Sequence, residues 1–291
     1  MELLQLRYFV HAARTENFSR TAAFFMVPQS SVSQTIKKLE GELGVQLFTR
    51  QGNRVFLNEK GRSFYEVVSA ALSQIDAACG CLREVGETPE GELRLLVRTN
   101  RRLVTDCMVE FGRRYPRVNF SMMHAAGGGG LSEFDLIVAE ESEQYRGFES
   151  LPLITEEILL AVSAGHPLAA KKSVRMQELK DERFITMPKG SGLYNLTEAG
   201  CRTAGFAPNI VIESDDPFYL RKYVGMNLGI ALVPSFSWRD QFDGSVTLLP
   251  IEEMHLRRAT RLYWKGGRCP LAAEKFRDFL LEACRAEAAA E

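Results

Sequence analysis

Long uncharged hydrophobic segments are missing from this chain of 291 residues. No run reaches the roughly 18 uncharged apolar residues that a membrane-spanning helix requires. The N-terminal stretch MELLQLRYFVHAARTE mixes charges with apolar residues and lacks the cleavage pattern of a signal peptide. These absences predict a cytoplasmic protein with no membrane partner.

Cysteine and histidine are too scattered to predict a metal centre. The chain has 6 cysteines and 4 histidines, with no Cys-x-x-Cys pair and no paired histidines nearby. Because structural zinc needs four converging ligands, these spacings predict no metal site. The thiols are expected to be free and mostly buried, as in a reducing cell.

Catalytic motifs are also missing. The chain has no G-x-S-x-G, no H-E-x-x-H, no P-loop and no G-x-G-x-x-G with an acidic partner. An enzyme would have to combine His124 or His166 with a serine or cysteine nucleophile, and His166 lies in a Gly-His-Pro segment typical of a turn. The sequence therefore predicts a protein that is not an enzyme and uses no cofactor.

The chain as a whole is nearly neutral, but its N-terminal part carries a surplus of positive charge. The formal net charge is −1, whereas residues 1–62 carry nine cations and five acids, a balance of +4 that leaves −5 for the remainder. A locally basic head on an acidic body fits DNA binding, although a surplus of four is weak support by itself.

The stretch VPQSSVSQTIKKLEGEL, residues 27–43, predicts an amphipathic helix. Its apolar residues are spaced as one stripe of a helix and are Val32, Ile36, Leu39 and Leu43. The opposite side carries Ser30, Ser33, Gln34, Lys37 and Lys38. Such groups suit base edges and phosphate oxygens. In isolation, the alternative is an ordinary surface helix with a solvated polar face.

The flanking segments favour DNA binding. A first helix is predicted around Leu6, Phe9, Val10 and Ala13, and a second, short one is expected to begin at an N-cap on Ser19 and to end by Met26. Pro28 turns the chain into the third helix, which Gly44 ends. This order is the helix-turn-helix plan. The following residues predict a hairpin wing with Arg50 and Arg54 at its ends, either near phosphates or as solvated hairpin charges.

A long helix beginning at Glu59, with Asn58 as its cap, carries a heptad seam. Its positions are Phe64, Val68, Ala71, Ile75, Ala78, Leu82 and Val85. Such a seam is typical of pairing with a second copy, and a dimer suits an operator with two half-sites. The alternative is a helix that lies on its own domain. Residues 86–91 are expected to form the linker that follows.

The remaining residues alternate strands with helices, and the length favours two or three domains. Predicted strands are 93–97, 118–124, 134–138, 158–162, 184–185, 209–212, 230–233 and 262–265. Predicted helices are 101–115, 193–204, 217–225 and 270–288. This alternation implies sheets covered by helices, an α/β fold class.

Residues 1–62 resemble the DNA-binding domain of LysR-type transcriptional regulators. The resemblance lies in LLQLRYFVHAARTENFSRTAA, SSVSQTIKKLEGELGVQLFTR and VFLNEKG, in order and without gaps. The body resembles the effector domain of that family through GELRLLV, RRYPRVNFSM, FDLIVA, HPLA, KGSGL and GIALVP. Together these segments cover nearly the whole chain.

The resemblance implies a winged helix-turn-helix at residues 1–58, a dimerising linker helix at 59–88 and an effector domain at 89–291. The effector domain would be periplasmic-binding-protein-like (type 2) with two α/β lobes, lobe I about 92–161 plus 266–291 and lobe II about 162–265. Family members bind an interrupted palindrome in double-stranded DNA as homodimers or homotetramers. Because such sites lie near promoters, RNA polymerase is a further candidate partner. The seam residues implied for dimerisation are Phe64, Val68, Ala71, Ile75, Ala78 and Leu82.

The resemblance also implies the DNA-binding residues. Those placed to face bases or phosphates, or to neutralise backbone charge, are Gln29, Ser30, Ser31, Ser33, Gln34, Lys37, Lys38, Arg50 and Arg54. Pro28 stands where the family frequently has a serine that caps the recognition helix. Losing such a cap costs about 1 kcal/mol of helix stability. Proline, however, is well tolerated in the first turn of a helix. Gln34 replaces a frequent arginine, so the base preference is not inherited from relatives.

A larger departure lies in the body. The family places an acidic, leucine-rich helix before the strand FDLIVA, whereas this chain has only HAAGGGGLSE between His124 and Phe134. Such a glycine-rich segment is too short for a stable helix. One wall of lobe I is expected to be missing, which puts effector binding and subunit contacts at residues 125–133 in doubt.

Ligands of two-lobe folds lie where strand ends and helix N-termini face each other. The effector-binding residues expected there are Arg98, Thr99, Asn100, Arg101, Lys189, Ser191, Gly192 and Asp216. Positive helix ends beside Arg98, Arg101 and Lys189 favour a small anion such as a carboxylate. Alternatively, Thr99, Ser191 and Asp216 only cap their own helices.

The sequence thus predicts a DNA-binding transcriptional regulator of the LysR type, controlled by a small, anionic effector. Two alternatives stay open. One is a redox-responsive regulator that acts through Cys201, near the position of the reactive thiol in the family's peroxide-sensing branch. The other is a regulator that has lost effector binding.

Overall fold

The computed structural model of the protein describes residues 1–51, 54–83, 88–125, 130–252, 254–267 and 269–289. The helices are α1 Leu3–Thr15, α2 Phe18–Phe24, α3 Gln29–Leu43, α4 Glu59–Arg83, α5 Arg101–Arg114, α6 Gly192–Thr203, α7 Pro217–Gly225 and α8 Leu271–Ala289. Within these ranges, no helix is both long and apolar enough to cross a membrane.

The strands complete an α/β architecture in which helices precede, separate and follow the strands along the chain. They are β1 Phe48–Gln51, β2 Arg54–Leu57, β3 Gly91–Val97, β4 Val118–Met123, β5 Leu136–Glu140, β6 Phe148–Ser163, β7 Val174–Arg175, β8 Arg183–Thr186, β9 Asn209–Glu213, β10 Ala231–Pro234, β11 Val246–Leu249, β12 Ile251–Glu252 and β13 Arg257–Lys265.

The N-terminal helices α1 to α3 pack around a small aromatic and aliphatic core. Phe9 is fully buried, and Val32, Ile36 and Leu39 of α3 are buried beside it. Leu43 is partly buried against the same core. The stripe predicted from the sequence is therefore the buried face of α3. Strands β1 and β2 form the expected antiparallel hairpin after it.

Capping explains where the first three helices begin and end. Ser19 was wrong as the N-cap of α2, because the side chain of Asn17 accepts the Arg20 N–H at 3.0 Å and the helix begins earlier. Met26, with φ of 52°, lies beyond its end. Gly44 ends α3 with φ of 67°, and Asn58 caps α4 by accepting the Gly61 N–H at 2.8 Å.

The heptad seam of α4 divides into two parts. Val68 is buried and Phe64 is partly buried, both against the core of α1 to α3. Ala71, Ile75 and Ala78 are exposed in the single chain. The side chain of Leu82 and residue Val85 lie outside the described part of the chain. The first turns of α4 therefore lie on their own domain, whereas pairing of the exposed turns with a second copy stays a prediction.

The body is organised by one long strand. A seven-stranded sheet has the order β10-β6-β13-β5-β3-β4, with β11 also paired to β6. Residues 148–157 of β6 pair with β13, whereas residues 158–163 pair with β10 and β11. Since the two halves of β6 lie in different hydrophobic cores, this strand passes directly from lobe I to lobe II.

Strand β13 extends further than the sequence predicted. It begins at Arg257 and pairs with β5 and with the first half of β6, which places it in the sheet of β3 and β4. The first half of β6 was likewise not predicted. We propose to place the end of lobe II near residue 257 instead of 265, because β13 belongs to the lobe I sheet.

A buried ion pair joins β6 to β13 where the chain passes between the lobes. Arg258 is 6% exposed and Glu156 is 4% exposed. The Arg258 Nη2 and Nε groups donate to Glu156 Oε1 at 2.6 and 3.0 Å, and Nη2 also donates to Ser237 Oγ at 2.6 Å. Glu156 Oε2 accepts the N–H groups of Phe236 and Ser237 at 3.1 and 2.7 Å. Glu156 therefore ties residues of three segments together.

The shortened segment of the body contacts the N-terminal domain. The described residues between β4 and β5 include a single 3-10 turn, Leu131–Glu133. Glu133 Oε1 accepts hydrogen bonds from the Tyr65 hydroxyl at 2.6 Å and from Arg14 Nε at 2.9 Å. Burial, together with the bond to Glu133, raises the pKa of Tyr65 to about 12. The predicted absence of a helix here is consistent with this turn, although residues 126–129 lie outside the description.

Replacing Glu156 with alanine tests the buried pair. Glu156→Ala leaves the Arg258 guanidinium buried without its main partner, so we expect a loss of about 3–5 kcal/mol in the free energy of unfolding. Glu157→Ala is the matched control, since Glu157 lies on the opposite face of β6 and its side chain is 63% exposed. Urea denaturation of both variants measures the difference. Equal, small losses would contradict the role of the pair.

Candidate functional site

The polar face of α3 is open to solvent. Gln29, Ser30, Gln34, Lys37 and Lys38 are exposed, and Ser31 and Ser33 are partly exposed. Lys38 Nζ lies 3.2 Å from Glu2 Oε1, an exposed pair that solvent screens. The face therefore offers amide, hydroxyl and ammonium groups along one side of a helix whose other side is buried.

The two wing arginines occupy the hairpin next to α3. Arg50 lies in β1 opposite Val55, and Arg54 lies in β2 opposite Gln51. Their side chains lie outside the described part of the structure, so the expected phosphate contacts remain predictions.

A second candidate site is a cavity of about 400 Å³ between the two lobes. Its walls come from the β3–α5 loop, the end of β5, the first turns of α6 and α7, and the segment after β10. Polar and charged lining residues are Arg98, Thr99, Asn100, Arg101, Arg102, Glu140, Glu141, Ser142, Gln144, Ser191, Asn195, Asp216, Arg221, Ser237, Gln241 and Arg258. This volume lies in the range of small-molecule sites.

Most of the residues expected to bind an effector line this cavity. Arg98, Thr99, Asn100 and Arg101 come from lobe I, and Ser191, Gly192 and Asp216 come from lobe II. Lys189 is exposed outside the cavity, and its backbone N–H donates to Glu213 Oε2 at 3.1 Å. The residues predicted from the sequence therefore lie in the cavity lining of both lobes, with the exception of Lys189.

The capping alternative holds for two of three residues. Ser191 Oγ accepts the Tyr194 N–H at 3.2 Å, and Asp216 Oδ1 accepts the Phe218 N–H at 2.8 Å. Thr99 does not cap α5, because Asn100 occupies the N-cap position with φ of 52°. Thr99 Oγ1 lies 3.2 Å from Thr260 Oγ1, which also accepts from Asn100 Nδ2 at 2.8 Å.

Cations in the cavity are poorly compensated. Burial lowers the pKa of both Arg101 and Arg221, and Asp216 opposes this effect in each case. Arg221 also lies over the Trp238 ring, 5.2 Å from its centroid. Among the described residues, Arg221 Nη1, Arg102 Nε and Asn100 Oδ1 are buried polar atoms without a hydrogen-bond partner. Unsatisfied buried groups of this kind are costly unless a ligand or water meets them.

Glu140 brings a carboxylate into the same cavity. Burial raises its pKa, while the neighbouring Arg258 opposes that shift, with Nη1 3.6 Å from Glu140 Oε1. Glu140, Arg221 and Arg258 were not predicted from the sequence. Glu140 is the last residue of the buried strand β5 and could have been found by the strand-end rule. The other two had no local signal, because only the fold brings them to the cavity.

Cys201 is poorly suited to act as a redox sensor. Its side chain is fully buried in the core of lobe II. Burial raises the pKa of the thiol to about 12, so the reactive thiolate is disfavoured at neutral pH. The structure therefore gives no support to the thiol-switch alternative.

Comparison with known proteins identifies both parts of the chain. A family model described as "Bacterial regulatory helix-turn-helix protein, lysR family" matches residues 3–62, and one described as "LysR substrate binding domain" matches residues 86–285. The transcriptional dual regulator GltC of Bacillus subtilis is 28% identical over 291 residues, which cover 97% of each chain.

Solved structures share the fold. Full-length CbnR in complex with its target DNA has a TM-score of 0.70 at 18% identity, covering 97% of this chain and 100% of that one. The effector-binding domain of QuiR in complex with shikimate has a TM-score of 0.58 at 23% identity, covering 68% and 98%. The chain belongs to the LysR family of transcriptional regulators, with an N-terminal DNA-binding helix-turn-helix and a C-terminal effector-binding domain.

Proposed function

We propose that a small organic anion in the interlobe cavity controls DNA binding by this regulator. The observation that carries the proposal is the half-buried Arg221, whose Nη1 has no hydrogen-bond partner among the described residues and whose pKa is lowered by burial. A carboxylate of a ligand would supply the missing acceptor and offset the cost of burying the cation. Shikimate in the QuiR domain, itself a carboxylate, is consistent with this ligand class.

The positive end of α7, one of the two helices that begin at the cavity, supports the same proposal. Helices α6 and α7 begin at the cavity, where Ser191 and Asp216 cap them. The first turn of a helix attracts anions because its backbone N–H groups lack acceptors within the helix. A ligand that bridges the β3–α5 loop and α7 would contact both lobes, so its binding would bias how they sit relative to each other.

For DNA recognition, we propose that α3 enters the major groove with its exposed polar face. Gln29 and Gln34 would read base edges, whereas Lys37 and Lys38 would contact phosphates. The exposed half of the α4 seam, at Ala71, Ile75 and Ala78, would pair with a second copy. Dimers, or tetramers made of two such dimers, would then match the half-sites of an interrupted palindrome.

A thermal-shift screen of the full chain tests the effector proposal. We expect a small carboxylate, amino acid or aromatic acid to stabilise the protein by roughly 2.7 kcal/mol at about 100 times its dissociation constant. Arg221→Gln should abolish the shift, because it removes the cation that meets the anion.

The control for this screen is Arg202→Gln, which removes the same charge from an exposed position of α6 outside the cavity lining. It should bind the acid as the unmodified protein does. A broad library without any hit, or a hit that survives Arg221→Gln, would contradict control by an anion at this site.

Lys37→Ala tests the phosphate contact. We expect weaker binding to every DNA sequence and a slope of log K against log salt that is smaller by about 0.9, the value of one released counterion. Lys172→Ala removes the same charge from an exposed position of lobe II and should leave the slope unchanged. A slope for Lys37→Ala that equals this control would eliminate the contact.

Gln29→Ala and Gln34→Ala test direct reading of bases. Each variant should lose roughly 1–3 kcal/mol of discrimination at one base position, because an amide can form two hydrogen bonds to one base. Binding measured on a set of single-base operator variants gives this result. If affinity fell equally on all sequences, the glutamines would be positioning contacts and not base readers.

A further inference from the structure

The carboxylate of Glu140 lies against the first residue of α6 in the opposite lobe. A Cβ atom added to Gly192 would overlap the Glu140 carboxylate, with both oxygens in its way. Glu140 is the last residue of β5, in lobe I, whereas Gly192 begins α6, in lobe II. Residue 192 must therefore be glycine for this carboxylate to reach the helix.

This position is where a ligand's anion would gain most from α6. Ser191 Oγ accepts the Tyr194 N–H, but the N–H groups of Gly192 and Leu193 have no acceptor within the helix. Arg98 and Arg258 add positive charge near the Glu140 carboxylate. Glu140 thus places a negative charge of the chain itself at the positive end of this helix.

Pairing with Arg258 does not account for Glu140. Arg258 already donates to Glu156 Oε1 at 2.6 and 3.0 Å and to Ser237 Oγ at 2.6 Å. Its distance to Glu140 is 3.6 Å, too long for a hydrogen bond. Glu156 is sufficient to compensate the buried guanidinium, so the Glu140 carboxylate is available for another purpose.

A second observation points to a ligand with hydrogen-bond donors. Asn100 is 3% exposed and lines the cavity, and its Oδ1 is a buried acceptor with no partner in the described part of the chain. Its Nδ2 is already used in the bond to Thr260 Oγ1 at 2.8 Å, which fixes the orientation of the amide. The lobe I side of the cavity therefore presents two acceptors, Asn100 Oδ1 and the Glu140 carboxylate.

We infer that Glu140 fills the anion position at the start of α6 and thereby determines the class of effector. The effector's own anion is left to Arg221 and Arg101, and its remaining part must bring a hydroxyl or ammonium group to Asn100 and Glu140. The class is a hydroxy acid or an amino acid, not a simple carboxylate. The effector class rests on the proposed control by an anion, whereas the position of Glu140 does not.

Acetate tests the position of Glu140 without knowledge of the effector. In the full-length Glu140→Ala variant the first turn of α6 is vacated, and acetate should bind there. We expect sodium acetate to raise the melting temperature of this variant relative to sodium chloride at equal ionic strength, with no such effect on the unmodified protein. Glu140→Ser, which vacates the same space, replaces it if the alanine variant does not fold.

Glu143→Ala is the matched control, because Glu143 lies three residues after Glu140 but is exposed and outside the cavity lining. It should show no acetate-specific shift. If acetate stabilises Glu140→Ala no more than Glu143→Ala, Glu140 does not occupy an anion position and the inference is overturned.

Paired acids test the effector class. Malate and aspartate are compared with succinate, and lactate with propionate, by calorimetry on the full chain. Members with a donor should bind at least about tenfold more tightly than their partners, the ratio that one hydrogen bond of ordinary strength supplies. Glu140→Gln should reduce this ratio, and Glu143→Gln, at an exposed position outside the cavity lining, should leave it unchanged.

The two experiments separate the two claims. If simple acids bind the unmodified protein as well as their hydroxy or amino partners, the inferred class is wrong while control by an anion stands. If no acid binds the unmodified protein, control by an anion fails, and the acetate experiment still decides whether Glu140 fills the start of α6.

Discussion

The body of this regulator depends on one strand and one buried ion pair where its lobes meet. Strand β6 belongs to both lobes, and Glu156 lies where its pairing changes from β13 to the strands of lobe II. Glu156 holds Arg258 of β13 and two backbone N–H groups of the segment after β10. Because removing either partner would leave a charge in a dry interior, the three segments keep one arrangement, and the cavity forms beside it.

The cavity beside this junction is lined by several arginines. Arginines contributed by α5, α7 and β13 approach from different sides, and burial disfavours the charged form of two of them. The chain compensates part of this charge with Asp216 and Glu140, and no described residue pairs with Arg221 Nη1. An incomplete charge balance of this kind is a physical basis for recognising an anion, since an anionic ligand would supply the negative charge and the hydrogen-bond acceptor that the arginines lack.

The contact at Glu133 connects the cavity-bearing lobe to the DNA-binding domain. Arg14 of α1 and Tyr65 of α4 both bind Glu133 Oε1, which lies in the turn that leads into β5. Glu140 is at the other end of β5. One short strand thus joins a residue at the ligand cavity to a residue that contacts the helix-turn-helix domain. The short turn Leu131–Glu133 places Glu133 at that contact.

Local patterns in the sequence were sufficient for most elements of this fold. The buried stripe of α3, the bounds of α7 and the ends of α3 at Pro28 and Gly44 follow from periodicity and from backbone preferences that act within a few residues. The strand-end and helix-start rule also located both walls of the cavity, because those features are local. The N-cap of α2 was missed by two residues since asparagine and serine compete for the same role.

Two features were decided by the tertiary structure alone, namely the full lengths of β6 and β13 and the set of charged residues around the cavity. The first halves of β6 and β13 carry inward-facing polar residues such as Glu156, Arg258 and Thr260, so they lack the hydrophobic alternation of a strand. Arg221, Glu140 and Arg258 line one cavity although they are distant in sequence, so their surroundings depend on how the lobes pack together. The sequence by itself determined most of the elements and the family, since local preferences and residue order encode them. The charge balance of the cavity was decided by folding, because electrostatic interactions depend on distance and burial in space.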